Sequence, residues 1–140
     1  MITGSCLCGK VKFKISEKPS SLSYCHCSRC RKSAGIFSAV LIGKASVLPS
    51  VQGEEAIRKY IPEEPWVHSR CFCQYCGSSL GDMAPYGGIY VIAASALDDS
   101  PGIKPTVHLH TAAKPNWYDI QDDLEKFAAG VPTPDYQITN

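Results

Sequence analysis

The chain carries eight cysteines in three groups: Cys6-x-Cys8, then Cys25-x-Cys27-x-x-Cys30, then Cys71-x-Cys73-x-x-Cys76. Neighbouring thiols in a Cys-x-Cys pair are badly placed to form a disulfide with each other, yet their thiolates can converge on one metal ion. A structural zinc takes four such ligands in a tetrahedron, and sulfur usually arrives as closely spaced pairs from two chain segments. Cys73-x-x-Cys76 is followed by Gly77 and Cys6-x-Cys8 by Gly9, so each pair ends on a residue that turns without steric cost. Pairing the two closes a four-cysteine site and ties the N-terminal region to the middle of the chain.

That assignment leaves Cys25, Cys27 and Cys30, whose spacing lets three thiolates face one ion. Three protein ligands and an open position are the ligand count of a catalytic zinc, which lowers the pKa of a bound water or thiol and makes a nucleophile at neutral pH. Tyr24, His26, Ser28, Arg29, Arg31 and Lys32 are the nearest groups that could orient a substrate. Arg31 and Lys32 are the substrate-binding candidates, because cations hold carboxylates through charge-assisted hydrogen bonds; offsetting the thiolate charge is an equally weighted role for these cations. Cys71 shares a strand face with Cys73. It can point at either ion, complete the second site, or be a small buried residue, and the buried reading is favoured. His68, His108 and His110 read as surface or core residues. His26 lies between two ligands, with its side chain directed away from their ion.

The elements that must position these groups read mostly as strands. Val11-Lys12-Phe13-Lys14-Ile15 alternates apolar and basic residues, Ile36 to Ile42 is an apolar run, and Gly88 to Ala93 and Thr106 to His110 continue the theme. Val47-Leu48, Ala56 to Ile61 and Trp66 to Phe72 are further short strands, and Pro62-Glu63-Glu64-Pro65 is a loop. One segment reads as helical: Asp119 to Phe127 places Ile120, Leu124 and Phe127 at i, i+4 and i+7, with acids in its first turn and Gly130 and Pro132 beyond its end.

At 140 residues, 44% apolar, 19% charged and net charge +1, the chain has the profile of one globular domain, without the basic surplus of a nucleic-acid binder. No apolar run approaches the roughly 20 residues of a membrane span. Met1-Ile2-Thr3-Gly4 lacks the features of an export signal, so reduced thiols and a cytoplasmic location are expected.

With these residues in view, the chain resembles the family of glutathione-dependent formaldehyde-activating enzymes, which shares its zinc domain with centromere protein V. The resemblance rests on Gly4-Ser5-Cys6-Leu7-Cys8-Gly9-Lys10-Val11-Lys12-Phe13, on Cys25 through Gly35, and on Arg70 through Leu80. Pro115-Asn116-Trp117-Tyr118 resembles the family's C-terminal end. It implies a mainly-β fold of the β-tent type, built of short antiparallel sheets with a short C-terminal helix, and a single zinc-binding domain over residues 1–140. It also implies one structural zinc on Cys6, Cys8, Cys73 and Cys76, and one labile zinc at Cys25, Cys27 and Cys30 that faces the substrate.

The implied activity is that of a carbon-sulfur lyase acting on a thiol adduct, the named reaction being condensation of glutathione with formaldehyde to S-hydroxymethylglutathione. Two other readings stand beside it. In one, a non-catalytic zinc module binds a protein or nucleic-acid partner through Arg29, Arg31 and Lys32; in the other, both zincs are structural and Cys71 closes the second site.

Overall fold

The computed structural model describes residues 1–130. Among these residues eleven short strands form two sheets. β1 (Ile2–Ser5), β2 (Lys12–Ile15) and β5 (Ser50–Gln52) make a small antiparallel sheet in the order β1-β2-β5. The larger sheet is built from β3 (Ser21–Cys25), β4 (Ser38–Lys44), β6 (Ile57–Tyr60), β7 (Arg70–Cys73), β8 (Ser79–Tyr86), β9 (Ile89–Ala93), β10 (Val107–Leu109) and β11 (Glu125–Lys126). Its order is β11-β10-β3-β4-β9-β8-β7-β6. Pairings from β3 to β6 are antiparallel, whereas β10 runs parallel to both β3 and β11.

The alternation read in β2 is present: Phe13 and Ile15 are buried while Lys12 and Lys14 are exposed. They join Ile2 of β1, Leu41 of β4, Leu80 of β8 and Tyr90 and Ile92 of β9 in one core that draws on both sheets. Leu41, Leu80 and Ile92 have no exposed surface, and burial of each such side chain contributes about 1.5–3 kcal/mol. That core is the rigid base from which the cysteine-bearing strand ends project.

At Gly81, in β8, backbone form decides the local architecture. The residue has φ +90°, and an added Cβ would lie 2.6 Å from the Ala93 nitrogen. It stands opposite Cys71, where the β7–β8 register slips between Cys71 and Phe72. A residue without a side chain is what this bulge requires.

Three expectations about elements are corrected. The segment from Asp119 to Phe127 is not a C-terminal helix; it is irregular chain ending in the two-residue strand β11. The Asp122 carboxylate accepts from the Leu124 N–H, a local bond that competes with helix formation, and the Phe127 N–H bonds the His108 carbonyl. A helix of nine residues has too little cooperativity to resist that capture by β10. The one α-helix among the described residues is α1 (Ser28–Ala34), inside the central cysteine cluster. Val47 and Leu48 lie in the connection before β5, and residues 66–69 are irregular chain leading into β7. Pro132 lies outside the described residues.

Candidate metal centres

The four-cysteine group forms where β1 ends and β7 ends. Cys6, Cys8, Cys73 and Cys76 place their sulfurs within 4.8 Å of one another. Two separations are tighter, Cys6 Sγ to Cys8 Sγ at 3.6 Å and Cys8 Sγ to Cys73 Sγ at 3.7 Å. Four sulfurs around one tetrahedral zinc, each about 2.3 Å from it, stand about 3.8 Å apart. The donor set and its spacing therefore fit that ion.

Both knuckles are shaped by backbone. Gly9 (φ +73°) and Gly77 (φ +74°) occupy the left-handed region, and their N–H groups close turns onto the Cys6 and Cys73 carbonyls at 2.9 and 2.8 Å. The Val11 N–H donates to Cys6 Sγ at 3.2 Å, and the Leu7 N–H donates to the Ser78 hydroxyl, which links the two segments. Hydrogen bonds from the Ser78 hydroxyl and backbone N–H pull the Cys76 thiol down to about 5, against the opposing effect of burial. A thiolate at neutral pH is the form a metal binds.

The three-cysteine group forms at the junction of β3 and α1. Cys25 is the last residue of β3, register-paired with Ser38 of β4 on one side and Leu109 of β10 on the other. Cys27 caps α1, its sulfur accepting from the Cys30 N–H at 3.3 Å, and Cys30 lies in the first helical turn. Their sulfurs also lie within 4.8 Å of one another, with Cys25 and Cys30 buried and Cys27 half-buried. Hydrogen bonds from Cys25 and Cys30 pull the Cys27 thiol well below its ordinary range, and those to Cys27 and Cys30 push Cys25 well above it. The trio thus concentrates negative charge on one sulfur and offers a cation three donors.

These thiols open on a cavity of about 100 Å³ whose wall includes Arg29, Trp66, His68, Arg70 and His110. The cations there are Arg29 and Arg70, and Arg70 Nη2 donates to Cys30 Sγ at 3.6 Å. The Arg29 guanidinium stacks 4.7 Å from the centre of the Trp66 ring. Arg31 and Lys32 fall in the last turn of α1, outside the cavity wall, with Lys32 exposed. At 3.6 residues per turn position 31 lies about 200° around the helix from position 29, while Lys32, one turn on from Arg29, is directed to solvent rather than along the cavity.

Cys71 belongs to neither group. It is buried in the core on β7, and burial pushes its thiol above the ordinary value. The reading in which both zincs are structural and Cys71 closes the second site is not supported, because the Cys71 sulfur is not among those that converge with Cys25, Cys27 and Cys30. His26 and His108 are buried side by side, Nε2 of His26 lying 2.8 Å from Nδ1 of His108. Asp122 approaches Nε2 of His108 at 2.9 and 3.0 Å. A carboxylate only accepts, so singly protonated His108 donates to Asp122 through Nε2–H and accepts the Nε2–H of His26. Burial, with His108 and Lys114 nearby, lowers the His26 pKa and keeps the ring neutral. Phe37 and Tyr118 flank it at ring-centre distances of 5.2 and 6.1 Å. The loop between Cys25 and Cys27 is thereby anchored on the side opposite its sulfurs.

Arg29 was among the groups the sequence offered to orient a substrate and does line the cavity; this histidine chain, the cavity cation Arg70 and the His68–Asp82 pair were not resolved by sequence reasoning. Alternation across Thr106 to His110 places His108 and His110 on a common face, the one available signal. His68 and Asp82 come together across an irregular segment and a bulged strand, which no local pattern announces.

A four-thiol group at a strand junction and a three-thiol group open to a cavity define a class of small mainly-β proteins with two thiol groups that could each hold a metal ion. The chain belongs to the glutathione-dependent formaldehyde-activating enzyme family, whose sequence model matches residues 1–113. It is 36% identical over 141 aligned positions to a Halomonas elongata protein provisionally named as such an enzyme, the match covering 94% of this chain and 89% of that one. It also resembles a crystal structure of a Rhodobacter sphaeroides protein, with a TM-score of 0.54 and 21% identity. That match covers 74% of this chain and 91% of the other, and it speaks to the fold alone. Among the described residues no helix is long and apolar enough to cross a membrane.

Proposed function

We propose that this chain is one zinc-binding domain with carbon-sulfur lyase-type activity, adding the glutathione thiol to formaldehyde to give S-hydroxymethylglutathione, in the cytoplasm. Cys6, Cys8, Cys73 and Cys76 hold a structural zinc in this reading, and Cys25, Cys27 and Cys30 a labile one. The observation that carries it is the asymmetry of the two groups: four sulfurs close one, whereas three stand at a cavity. A zinc ion at the three-cysteine group would supply a Lewis acid that favours the thiolate form of a thiol.

The remaining work falls to the chain's own side chains. In the addition, the thiol sulfur forms a bond to the aldehyde carbon, the C=O π pair moves to oxygen, and the proton leaves sulfur for that oxygen. No electrons are gained or lost. The cavity that the three thiols line is where a thiol-bearing arm and a one-carbon aldehyde would meet. Arg29 and Arg70 supply the cations at the wall and take the substrate-binding role first assigned to Arg31 and Lys32, since they can pair with the carboxylates of the thiol compound.

Exchange NMR on glutathione and formaldehyde tests the reading. Zinc-loaded protein is expected to accelerate interconversion, and Cys27→Ser to lose that acceleration by 10²-fold or more, a loss on the order expected when a metal's ligand set is broken. An unaltered exchange rate with the zinc-loaded protein rejects the substrate pair, and full activity in Cys27→Ser rejects the site.

A further inference from the structure

The peptide that carries Cys25 and Cys27 is held from behind by groups outside both thiol sets. His26, between the two cysteines, has no exposed surface, and its Nδ1 is buried without a hydrogen-bond partner. The polar attachment of the ring therefore runs through Nε2, which lies 2.8 Å from Nδ1 of His108. His108 stands on β10 in register with Tyr24, the residue before Cys25. The main chain adds a second tie, the His26 N–H donating to the Leu109 carbonyl at 2.9 Å.

Asp122 is the outer end of this chain, meeting Nε2 of His108 with both oxygens at 2.9 and 3.0 Å. Its side chain is 45% exposed, yet its place is fixed. Oδ1 also accepts from the Leu124 N–H at 3.0 Å, and Lys126 Nζ donates to the Asp122 carbonyl at 3.0 Å. The Phe127 N–H returns the segment to β10 by donating to the His108 carbonyl at 2.9 Å. The hydrogen bond from His108 outweighs burial and holds the Asp122 carboxylate below its usual range. An ionised acceptor at one end polarises the chain and strengthens the inner bond. The four-cysteine group lies elsewhere, because β3, β4, β9 and β8 separate β10 from β7 in the sheet.

We propose that Asp122 is a positioning residue for the three-cysteine group: acting through His108 and His26, it holds Cys25 and Cys27 where they and Cys30 take one metal ion. The inference rests on the two-zinc reading above. Thiols that must be ordered at the moment of binding give up affinity to that ordering. At the four-cysteine group the ordering comes from two glycine turns and the Ser78 link. At the three-cysteine group the loop between Cys25 and Cys27 takes it from the imidazole pair, and the pair takes its direction from Asp122.

The test loads the full-length protein with zinc, or with cobalt(II) as a spectroscopic probe, and titrates each with a chelator. Asp122→Ala is expected to weaken retention of one ion by about 10- to 100-fold, the loss common when a group behind a metal ligand is removed. The other ion and the far-ultraviolet spectrum are expected to be unchanged, and the ligand-field band of the weakened cobalt to shift. Asp122→Asn, whose amide oxygen still accepts the His108 Nε2–H, is expected to recover affinity toward the parent value. A merely structural role would loosen both ions together through global stability. That outcome, or equal retention in Asp122→Ala and the parent, overturns the assignment. So does a 15N spectrum that places the His108 proton on Nδ1. A parent protein that takes up one ion only removes the two-zinc reading and this inference with it. Two ions without faster glutathione–formaldehyde exchange removes the substrate pair alone, and the retention of the variants then decides on Asp122.

Discussion

Replacing His108 by leucine removes the acceptor of the His26 Nε2–H in a site where the His26 ring has no exposed surface. A buried donor left without a partner costs about 1–3 kcal/mol. For a domain of this length each kcal/mol moves Tm by roughly 3–5 °C, so His108→Leu is expected to melt about 5–10 °C lower. His26→Phe orphans Nδ1 of His108 in turn and carries a similar penalty, its ring remaining able to stack on Phe37. The informative protein is the double variant. With both polar partners gone and the space filled by apolar groups, it is expected to recover about 1–2 kcal/mol relative to the sum of the single changes. Urea unfolding followed by circular dichroism, at a fixed free zinc level because a metal bound to the native state adds to stability, gives the four free energies. Additivity of the single variants within about 0.5 kcal/mol would refute the paired-imidazole argument.

Two further outcomes follow from the geometry. A mild chelator is expected to strip one zinc equivalent and leave the second, with the far-ultraviolet spectrum intact, because the three-cysteine group opens on the cavity while the other closes on four sulfurs; metal analysis against chelator concentration checks this, and simultaneous loss of both ions contradicts it. The acid limb of stability should reflect Asp82 and Asp99, whose folded pKa values lie below the ordinary 3.8. Burial opposes the shift at Asp82, where His68 and the Ser69 N–H prevail, while at Asp99 the Thr3 hydroxyl and N–H lead. A depressed folded pKa means stability that is complete above 3.8 and drains as pH falls through the folded value. Asp82→Asn should therefore flatten the acid limb, and an unchanged limb in that variant would remove Asp82 from it.

Each cysteine pair and the three-cysteine loop were legible from sequence because thiol spacing is local information, whereas the meeting of Cys8 with Cys73 across 65 positions followed from the four ligands a structural zinc takes. β2 was legible for the same kind of reason, its alternating lysines and apolar residues declaring which face is wet. Where the reading failed, non-local bonds decide. The segment at Asp119 to Phe127 has a helical period, but the partners of Asp122 and Phe127 lie on β10. Helix α1 buries one residue, Cys30, and so shows no apolar stripe. β8 carries Gly81, Asp82 and Pro85, a composition that argues against a strand, and is held there by pairing on both sides. The direction of Arg29 rather than Arg31 into the cavity followed from that unseen helix.

The separation of the two cysteine groups along the chain bears on the order in which a nascent protein can build them. Cys25 and Cys30 stand five positions apart in sequence, whereas Cys8 meets Cys73 across 65. The longer closure carries about 2 kcal/mol more loop entropy, and during synthesis at about 5–20 residues per second Cys73 leaves the ribosome several seconds after Cys30. The three-thiol group is complete in sequence while the N-terminal pair still has no complement. In the proposed two-zinc reading its sulfurs are the first full set that could take up an ion, and the site that closes the fold is the last.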